Sequence, residues 1–440
     1  MFTLKHIRKV SYPIFLSLLA QNIINVTDTA FLGRIGEVEL GASALGGLVY
    51  ICTFTIAFGF STGSQILIAR RNGERSYTQT GAVMMQGLYF LFAMAIVLFS
   101  ALRLFSTPLM DLVVSSDTIL NATVDFLNIR SFGLFFSFLS VMFRAFFVGI
   151  TRTRVLTANA ILMAATNILL DYILIFGHAG FPVMGLKGAA VASVFAEAVS
   201  LLFFLLYTRF TVDIPKYGLN RIHKPSGPLL RRILSISVFT MIQHFISMST
   251  FLFFFIAVEH IGSRELAIAN IVRSIYIVMF IPVGALSTTT ASLVSNSIGA
   301  GMSTLVIPII KKTAFLSLFI MAVCAVVFCL FPRAILSIYT NDPSLVADSI
   351  PSIYTLSGIM MICATGNIVF NGVSGTGNTL TALLFEIITL IFYCLYVYLI
   401  GIRLKLPVHI CFTSEVIYFG LLLLFSTLYI KSGRWANKKL

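Results

Sequence analysis

Apolar residues run through this chain in stretches of twenty or more, separated by short polar segments rich in Arg, Lys, Gly and Pro. A helix needs about 20 mostly apolar residues to cross a bilayer. The pattern therefore predicts an all-α polytopic membrane protein with twelve transmembrane helices, near residues 10–33, 47–69, 82–102, 121–149, 155–177, 185–208, 233–257, 266–296, 307–331, 346–370, 377–401 and 407–430. The gaps leave no room for a separate soluble domain. The longest polar stretch is 209–232, RFTVDIPKYGLNRIHKPSGPLLRR. Its prolines, glycines and six basic residues (Arg209, Lys216, Arg221, Lys224, Arg231, Arg232) read as a linker.

The pattern is written twice. RIGEVELGASAL (34–45) and HIGSRELAIANI (260–271) share Ile35/Ile261, Gly36/Gly262, Glu39/Glu265 and Leu40/Leu266, all 226 residues apart. Gly73/Gly299, Gly149/Gly375 and Thr153/Thr379 repeat that offset, and Gly133/Gly358 slips by one. Six spans is an even number, so both copies enter the membrane in the same orientation. The expectation is two six-helix bundles related by a pseudo-two-fold axis along the membrane normal. The N-lobe would be residues 1–215 and the C-lobe 216–440. Span 1 has a counterpart in span 7, which makes it a structural helix and not a cleaved signal.

Composition fits lipid as the main solvent. Hydrophobic residues make up 58% and charged residues 10%, against about 25% charged in soluble domains. The net charge of +14 would suit nucleic acid, but its distribution argues for topology. With the N-terminus in the cytoplasm, the inner segments hold twenty Lys and Arg, including the linker's six and Lys438 and Lys439; the outer segments hold seven. Positive residues favour the cytoplasmic side. Both termini are expected inside, in the plasma (inner) membrane, with the lipid bilayer and a small-molecule substrate as partners, no nucleic acid, and a monomer. All six cysteines fall in apolar spans without metal-ligand spacing and read as packing residues. No G-x-x-x-x-G-K-[ST] loop is present, so transport would draw on an ion gradient.

Candidate chemistry lies in the polar residues inside the spans. Asp28 is the only formally charged residue between Lys9 and Arg34. An ionised side chain at a helix centre costs about 2.5–3.5 kcal/mol on insertion scales, so it usually faces a cavity or a partner. Asp28 could instead be a solvated interfacial residue, but a negative charge near a helix C-terminus opposes the helix dipole. Gln21, Asn25 and Asp28 share one helical face, which would line a cavity. Asn167 and Asp171, four apart in span 5, share another, with Asn159 nearer the cytoplasmic end. Two acids in one half suggest a proton or ion site; an interhelical hydrogen bond is the alternative for Asp171. Arg144 should snorkel or cap its helix. Glu197 and Glu386 need basic or polar partners, with Arg130 and Arg273 at hand. His244, beside Gln243 in span 7, reads as an interhelical hydrogen-bonding group, and Glu415 is ambiguous.

These residues resemble the multidrug and toxic compound extrusion (MATE) family, particularly its DinF-like branch. SYPIFLSLLAQNIINVTDTAFLGRIGEVELGA (11–42) looks like the family's first helix and following loop. GITRTRVLTANAILMAATNILLDYILIFG (149–177) resembles its span 4–5 region, MGLKGAAVAS (184–193) its G-x-x-G-A-A-x-A-[ST], and IPVGALSTTTASLVSNSIGAG (281–301) its span 8 signature. The resemblance implies efflux of amphipathic, often cationic compounds in exchange for H⁺ or Na⁺, with no other cofactor. It implies that Pro13 lets the first helix bend, and that Asp28, Asn167, Asp171 and Ser193 form a coupling site in the N-lobe. Na⁺, if used, would be held by Asn167, Asp171 and Ser193. Arg152 stands where many members have an acid, and span 7 lacks the mid-helix acid of other branches, which favours the N-lobe.

Two other functions compete. A flippase for a lipid-linked headgroup would keep this fold but needs a strongly basic cavity, whereas Arg130, Arg144 and Arg273 are scattered. A membrane transferase of the prenyl type would need clustered aspartates for Mg²⁺, and no D-D-x-x-D run exists. An enzyme is not expected.

Overall fold

A computed structural model describes residues 3–111, 114, 116–220, 223–340 and 342–436. Arg221, Lys438 and Lys439, counted above among the cytoplasmic basic residues, lie outside the described residues. The described chain is helical, with no strand among the described residues. Eleven of its helices are long and apolar enough to cross a membrane. The helices α4 (Asp117–Arg130) and α5 (Gly133–Gly149) together make a twelfth span, bent by 51°. The twelve expected spans are thus all present, but the fourth is broken where an unbroken helix was expected.

The internal repeat is visible in the helix limits. The second helix, α2 (Glu37–Gly73), and its counterpart α9 (Ser263–Gly299) begin and end 226 residues apart. The α4–α5 pair, from Asp117 to Gly149, matches α12 (Pro343–Gly375) at the same offset, yet α12 runs without a break. The bend therefore belongs to the first copy and not to the repeat.

The chain forms two compact units. One comprises Leu16–Met241; the other comprises Ile242–Leu440 together with Met1–Phe15. Two helices contribute to both: α1 (Leu4–Gly33), which changes unit just after Pro13, and α8 (Gly227–Glu259). The helix α1 is continuous through Pro13.

In the Leu16–Met241 unit, α2 packs on α3 (Tyr77–Asp111), α4 and α5, and α6 (Arg154–Phe176) lies along α7 (Gly185–Thr211). Small residues permit that last contact. A Cβ on Gly188 would stand 2.8 Å from the backbone of Leu174, and Ala189, Ala190, Ala192 and Ala196 are buried on α7. Close backbone approach replaces the hydrophobic drive that lipid cannot supply. Asn159 of α6 donates to the Ser200 carbonyl (2.9 Å) and accepts from its hydroxyl (2.9 Å), pinning the same seam.

In the other unit, α12 is central. It packs on α9, α10 (Val306–Leu330) and α15 (Ser414–Lys431), and α13 (Thr379–Val397) packs on α15. A Cβ on Gly375 would meet the Ala291 carbonyl at 2.6 Å. The facing stretch of α9 is rich in buried Ser and Thr. Thr289 and Thr290 satisfy their hydroxyls on the preceding turn, at Ala285 and Leu286 (2.8 Å each), while Ser287 donates across to Asn367 (3.2 Å).

Candidate functional site

The face of α1 that carries Asp28 is set by packing against α6. Ala20 and Ile24 nest against Ala160 and Ala164, and Leu32 joins Ile175 in a second buried cluster one end further along. Phe31 and Phe176 meet edge to face, 5.5 Å between centroids. Between these contacts, Asp28 reaches Asp171 of α6, and the two carboxyls interact directly. Asp171 is fully buried and Asn167, one turn earlier, is 1% exposed. Apart from the carboxyl–carboxyl approach, Asp28 Oδ1, both Asp171 oxygens and both amide atoms of Asn167 have no hydrogen-bond partner among the described residues. Buried polar atoms are normally satisfied, and this concentration of unpartnered acceptors with one amide donor sets the place apart from the apolar packing around it.

The structure thus brings together Asp28, Asn167 and Asp171 of the residues read from the sequence. Ser193 is half-buried on α7, one turn before Glu197. Gln21 and Asn25 are exposed on α1. Pro13 is buried and lies in the part of α1 that belongs with the other unit.

Next to the acid pair stands a second cluster whose wiring was not legible in the sequence. Arg130, the last residue of α4, grips Glu197 of α7 with both terminal nitrogens, at 2.8 and 2.6 Å. Tyr50 of α2 donates its hydroxyl to the same carboxylate at 3.0 Å and meets Ser137 of α5 at 2.9 Å. Its ring lies 3.7 Å under the guanidinium. Bidentate Arg–carboxylate pairing is the strong form of the ion pair, and here the aromatic face adds to it. The charge of Arg130 also acts on Asp28.

The remaining intramembrane charges have local partners. Arg273 lies over Phe255 and Arg144 over Phe58, so each guanidinium rests on a ring. In the second unit, Glu386 accepts from Ser247 (2.6 Å) and Tyr418 (2.5 Å), leaving Oε2 buried without a partner. Glu415 accepts from Tyr393 at 3.3 Å. No group of three His, Cys, Asp or Glu side chains suited to a metal ion occurs among the described residues.

Fold and site together define a polytopic helical membrane protein built from a duplicated six-span unit, with a buried acid pair in its first half. The MatE family model matches residues 13–173 and 240–399, two segments whose starts differ by 227 and whose ends differ by 226 residues. These segments cover most of the chain, which belongs to the MATE family of membrane transporters. It is 25% identical over 394 residues to a protein named probable multidrug resistance protein NorM from Thermotoga maritima, covering 88% of this chain and 83% of that one. A protein of the same name from Agrobacterium fabrum is 28% identical over 285 residues, 63% of this chain and 60% of that one. Among solved structures, a MOP superfamily transporter from Pyrococcus furiosus superposes with a TM-score of 0.87 at 17% identity, covering 99% and 97% of the two chains. A multidrug resistance MATE family transporter in an outward-facing conformation superposes with a TM-score of 0.86 at 18% identity, with the same coverage. The structural likeness speaks for the fold. The DinF-like branch rests on the sequence motifs alone.

Proposed function

We propose that the protein is a secondary active exporter that exchanges amphipathic, often cationic compounds for protons by alternating access, with coupling in the N-lobe at Asp28 and Asp171. The single observation that carries this reading is the buried carboxyl–carboxyl contact one turn from the unpartnered Asn167 amide. Two like charges about 4 Å apart repel by roughly 4 kcal/mol at an effective dielectric constant of 20. One proton between them turns that repulsion into a hydrogen bond, and the pair then titrates as a unit. Taking up and releasing that proton changes how α1 is held against α6. Pro13, which removes one backbone hydrogen bond from α1, is the place for the helix to give way. The named multidrug relatives support drug-like cargo. The excess of basic residues in the inner segments supports cytoplasmic termini and residence in the inner membrane.

Na⁺ is the second reading for the coupling ion. The free oxygens of Asn167 and Asp171 favour it, with Ser193 as a further ligand.

The test uses purified protein in liposomes holding a pH-sensitive dye, a cationic fluorescent substrate outside, and an imposed pH gradient. Substrate-driven proton flux that vanishes in Asp28→Asn without a need for Na⁺ is the expected result. Flux that requires Na⁺ changes the ion. Normal flux in Asp28→Asn overturns the coupling site, and no response to any cation brings the flippase reading forward.

A further inference from the structure

The Arg130–Glu197–Tyr50 cluster joins α2, α4 and α7 through buried polar contacts, and the coupling reading above leaves it without a task. Its plainest role would be to hold the fold together. Two observations argue that this does not explain it. First, burying a guanidinium and a carboxylate costs several kcal/mol per ion, and well-packed apolar residues commonly do as well or better. Second, the other copy in this chain does without the pair. At an offset of 226, or of 225 by the Gly133/Gly358 slip, Arg130 corresponds to Leu356 or Thr355 and Glu197 to Leu423 or Leu422, none of them charged, while Tyr50 corresponds to Tyr276. There α12 passes through the matching level unbroken, and Leu356 is buried in the core of its unit. The second half closes without the ion pair. The acid pair is likewise confined to the first half, since Asp28 and Asp171 correspond to Phe254 and Val397. Among the described residues, the buried salt bridge and the acid pair occur in the same copy, whereas the buried carboxylates of the other, Glu386 and Glu415, are held by tyrosine hydroxyls.

The local architecture serves to place a charge. Arg130 ends α4 at the 51° bend. Gly133 opens α5, and a Cβ there would collide with Glu197 Oε2 and Arg130 Nη1. The helix is interrupted, and a glycine set at the interruption, where the guanidinium can lie flat between Glu197 and the Tyr50 ring. Phe126, one turn before Arg130, shares a buried cluster with Leu32 and Ile175, each one turn beyond Asp28 and Asp171, so the guanidinium is held at the level of the acid pair.

We infer that Arg130, clamped by Glu197 and Tyr50, is a fixed counter-charge that sets the pH at which the Asp28–Asp171 pair takes up and releases its proton. The inference rests on the coupling reading above. Arg130 is a positioning residue: it acts through the acid pair, and Glu197 tempers how much of its charge the pair feels. The charged and titratable groups around it are Asp28 on α1, Tyr50 on α2, Asp171 on α6 and Glu197 on α7, with the uncharged Ser137 on α5. The helix α3 brings Arg103, which lies on the Phe99 and Phe132 rings. An exposed Asp125–Lys187 pair (2.9 Å) joins α4 to α7.

The experiment records substrate-driven proton flux against pH in liposomes, with ethidium as the probe, for wild type, Glu197→Gln, Arg130→Gln, the double variant and Arg130→Lys. Glu197→Gln leaves the guanidinium uncompensated, so the pair gives up its proton more readily and the midpoint moves to lower pH. Arg130→Gln removes the cation, so the midpoint moves up. Each shift should be about one pH unit, the lower end of the effect of a close opposite charge on a carboxylate. The double variant should return toward wild type, and Arg130→Lys, which keeps the charge and loses the fork, should stay there with lower thermal stability. Variants that slow flux while leaving the midpoint in place overturn the inference and assign the cluster to structure. If Arg130→Gln fails to fold, the isosteric Glu197→Gln and the charge-conserving Arg130→Lys still decide the matter. Wild-type flux without a midpoint that Asp28→Asn abolishes is a failure of the coupling reading. A midpoint that depends on Asp28 but ignores Arg130 and Glu197 is a failure of this inference alone.

Discussion

Gly133 leaves free the volume into which the Arg130 guanidinium and the Glu197 carboxylate fit. The first prediction follows from that relationship. Gly133→Ala drives a methyl group into an ion pair held at 2.6 Å. Overpacking of this kind costs typically 1–3 kcal/mol, and the helix-propensity gain of Ala over Gly returns at most about 1 kcal/mol. The variant should melt below wild type in a detergent thermal-shift assay. A melting temperature equal to or above wild type would show that the cluster yields freely.

Asp28 and Asp171 should behave as one functional unit. Asp171→Asn can donate a hydrogen bond to Asp28, so the seam between α1 and α6 stays closed and the protein folds. Substrate-driven proton flux should fall by roughly 10²-fold or more in either single variant, in the range of a lost proton-transfer group. The Asp28→Asn, Asp171→Asn double variant should be no worse, because groups that act together are not additive. Independent, multiplying losses in a flux assay would show two separate sites.

The reciprocal Asn159–Ser200 bonds predict a purely structural defect. Asn159→Leu strands the buried Ser200 hydroxyl on α7 and removes the second bond to the Ser200 carbonyl. The loss should be about 1–3 kcal/mol, read as a lower melting temperature, while the pH midpoint of transport stays in place. A displaced midpoint would tie this end of the seam to coupling.

Glu386 separates a polar residue from a coupling residue. Glu386→Gln keeps an acceptor for Ser247 and Tyr418 and should retain proton-coupled transport. Glu386→Leu strands the buried Tyr418 hydroxyl, while Ser247 keeps its bond to the Gln243 carbonyl (2.9 Å), and should lower the yield of folded protein on size-exclusion chromatography. Loss of coupling in the glutamine variant, with folding intact, would move part of the proton pathway into the second unit.

At the N-cap of α12, outside the membrane spans, Asp342 accepts from the backbone N–H of Ser344 (2.9 Å) and from its hydroxyl (2.8 Å). The Ser344 bonds hold its carboxyl below the usual carboxylate range. The sign follows from linkage: the cap stabilises the folded protein above the ordinary carboxylate value and ceases to do so as pH falls through the lowered one. Asp342→Ala should lower the melting temperature at neutral pH and reduce its decline on acidification. Parallel acid-side curves for the two proteins would count against the cap.

Much of this was legible in the sequence because lipid imposes simple rules. Span length, the 226-residue offset and the shared faces of Asp28, Asn167 and Asp171 are periodic features, and periodicity is what a sequence displays. The break in the fourth span was not legible. FGLFF around Gly133 reads as an uninterrupted apolar run, and the interruption comes from groups on α2, α4 and α7 that converge there. The Arg130–Glu197 pairing was open for the same reason: the sequence offered Arg130 and Arg273 as partners, and only packing chose between them. The repeat held one usable signal. Uncharged residues at the counterparts of Arg130 and Glu197 mark those charges as features of one copy and not of the shared plan.

The 67-position separation of Arg130 and Glu197 also sets an order of events during synthesis. Chains emerge from the N-terminus, so the fourth span with its guanidinium enters the bilayer before the carboxylate that will hold it has been made. For that interval Arg130 carries an insertion cost of about 2.5–3.5 kcal/mol. Tyr50 is already in place two spans earlier, and its ring offers the cation a face to rest on. In chain order the tyrosine is made before Arg130 and the glutamate after it. The arrival of α7 locks the arginine at the bend and completes the lobe.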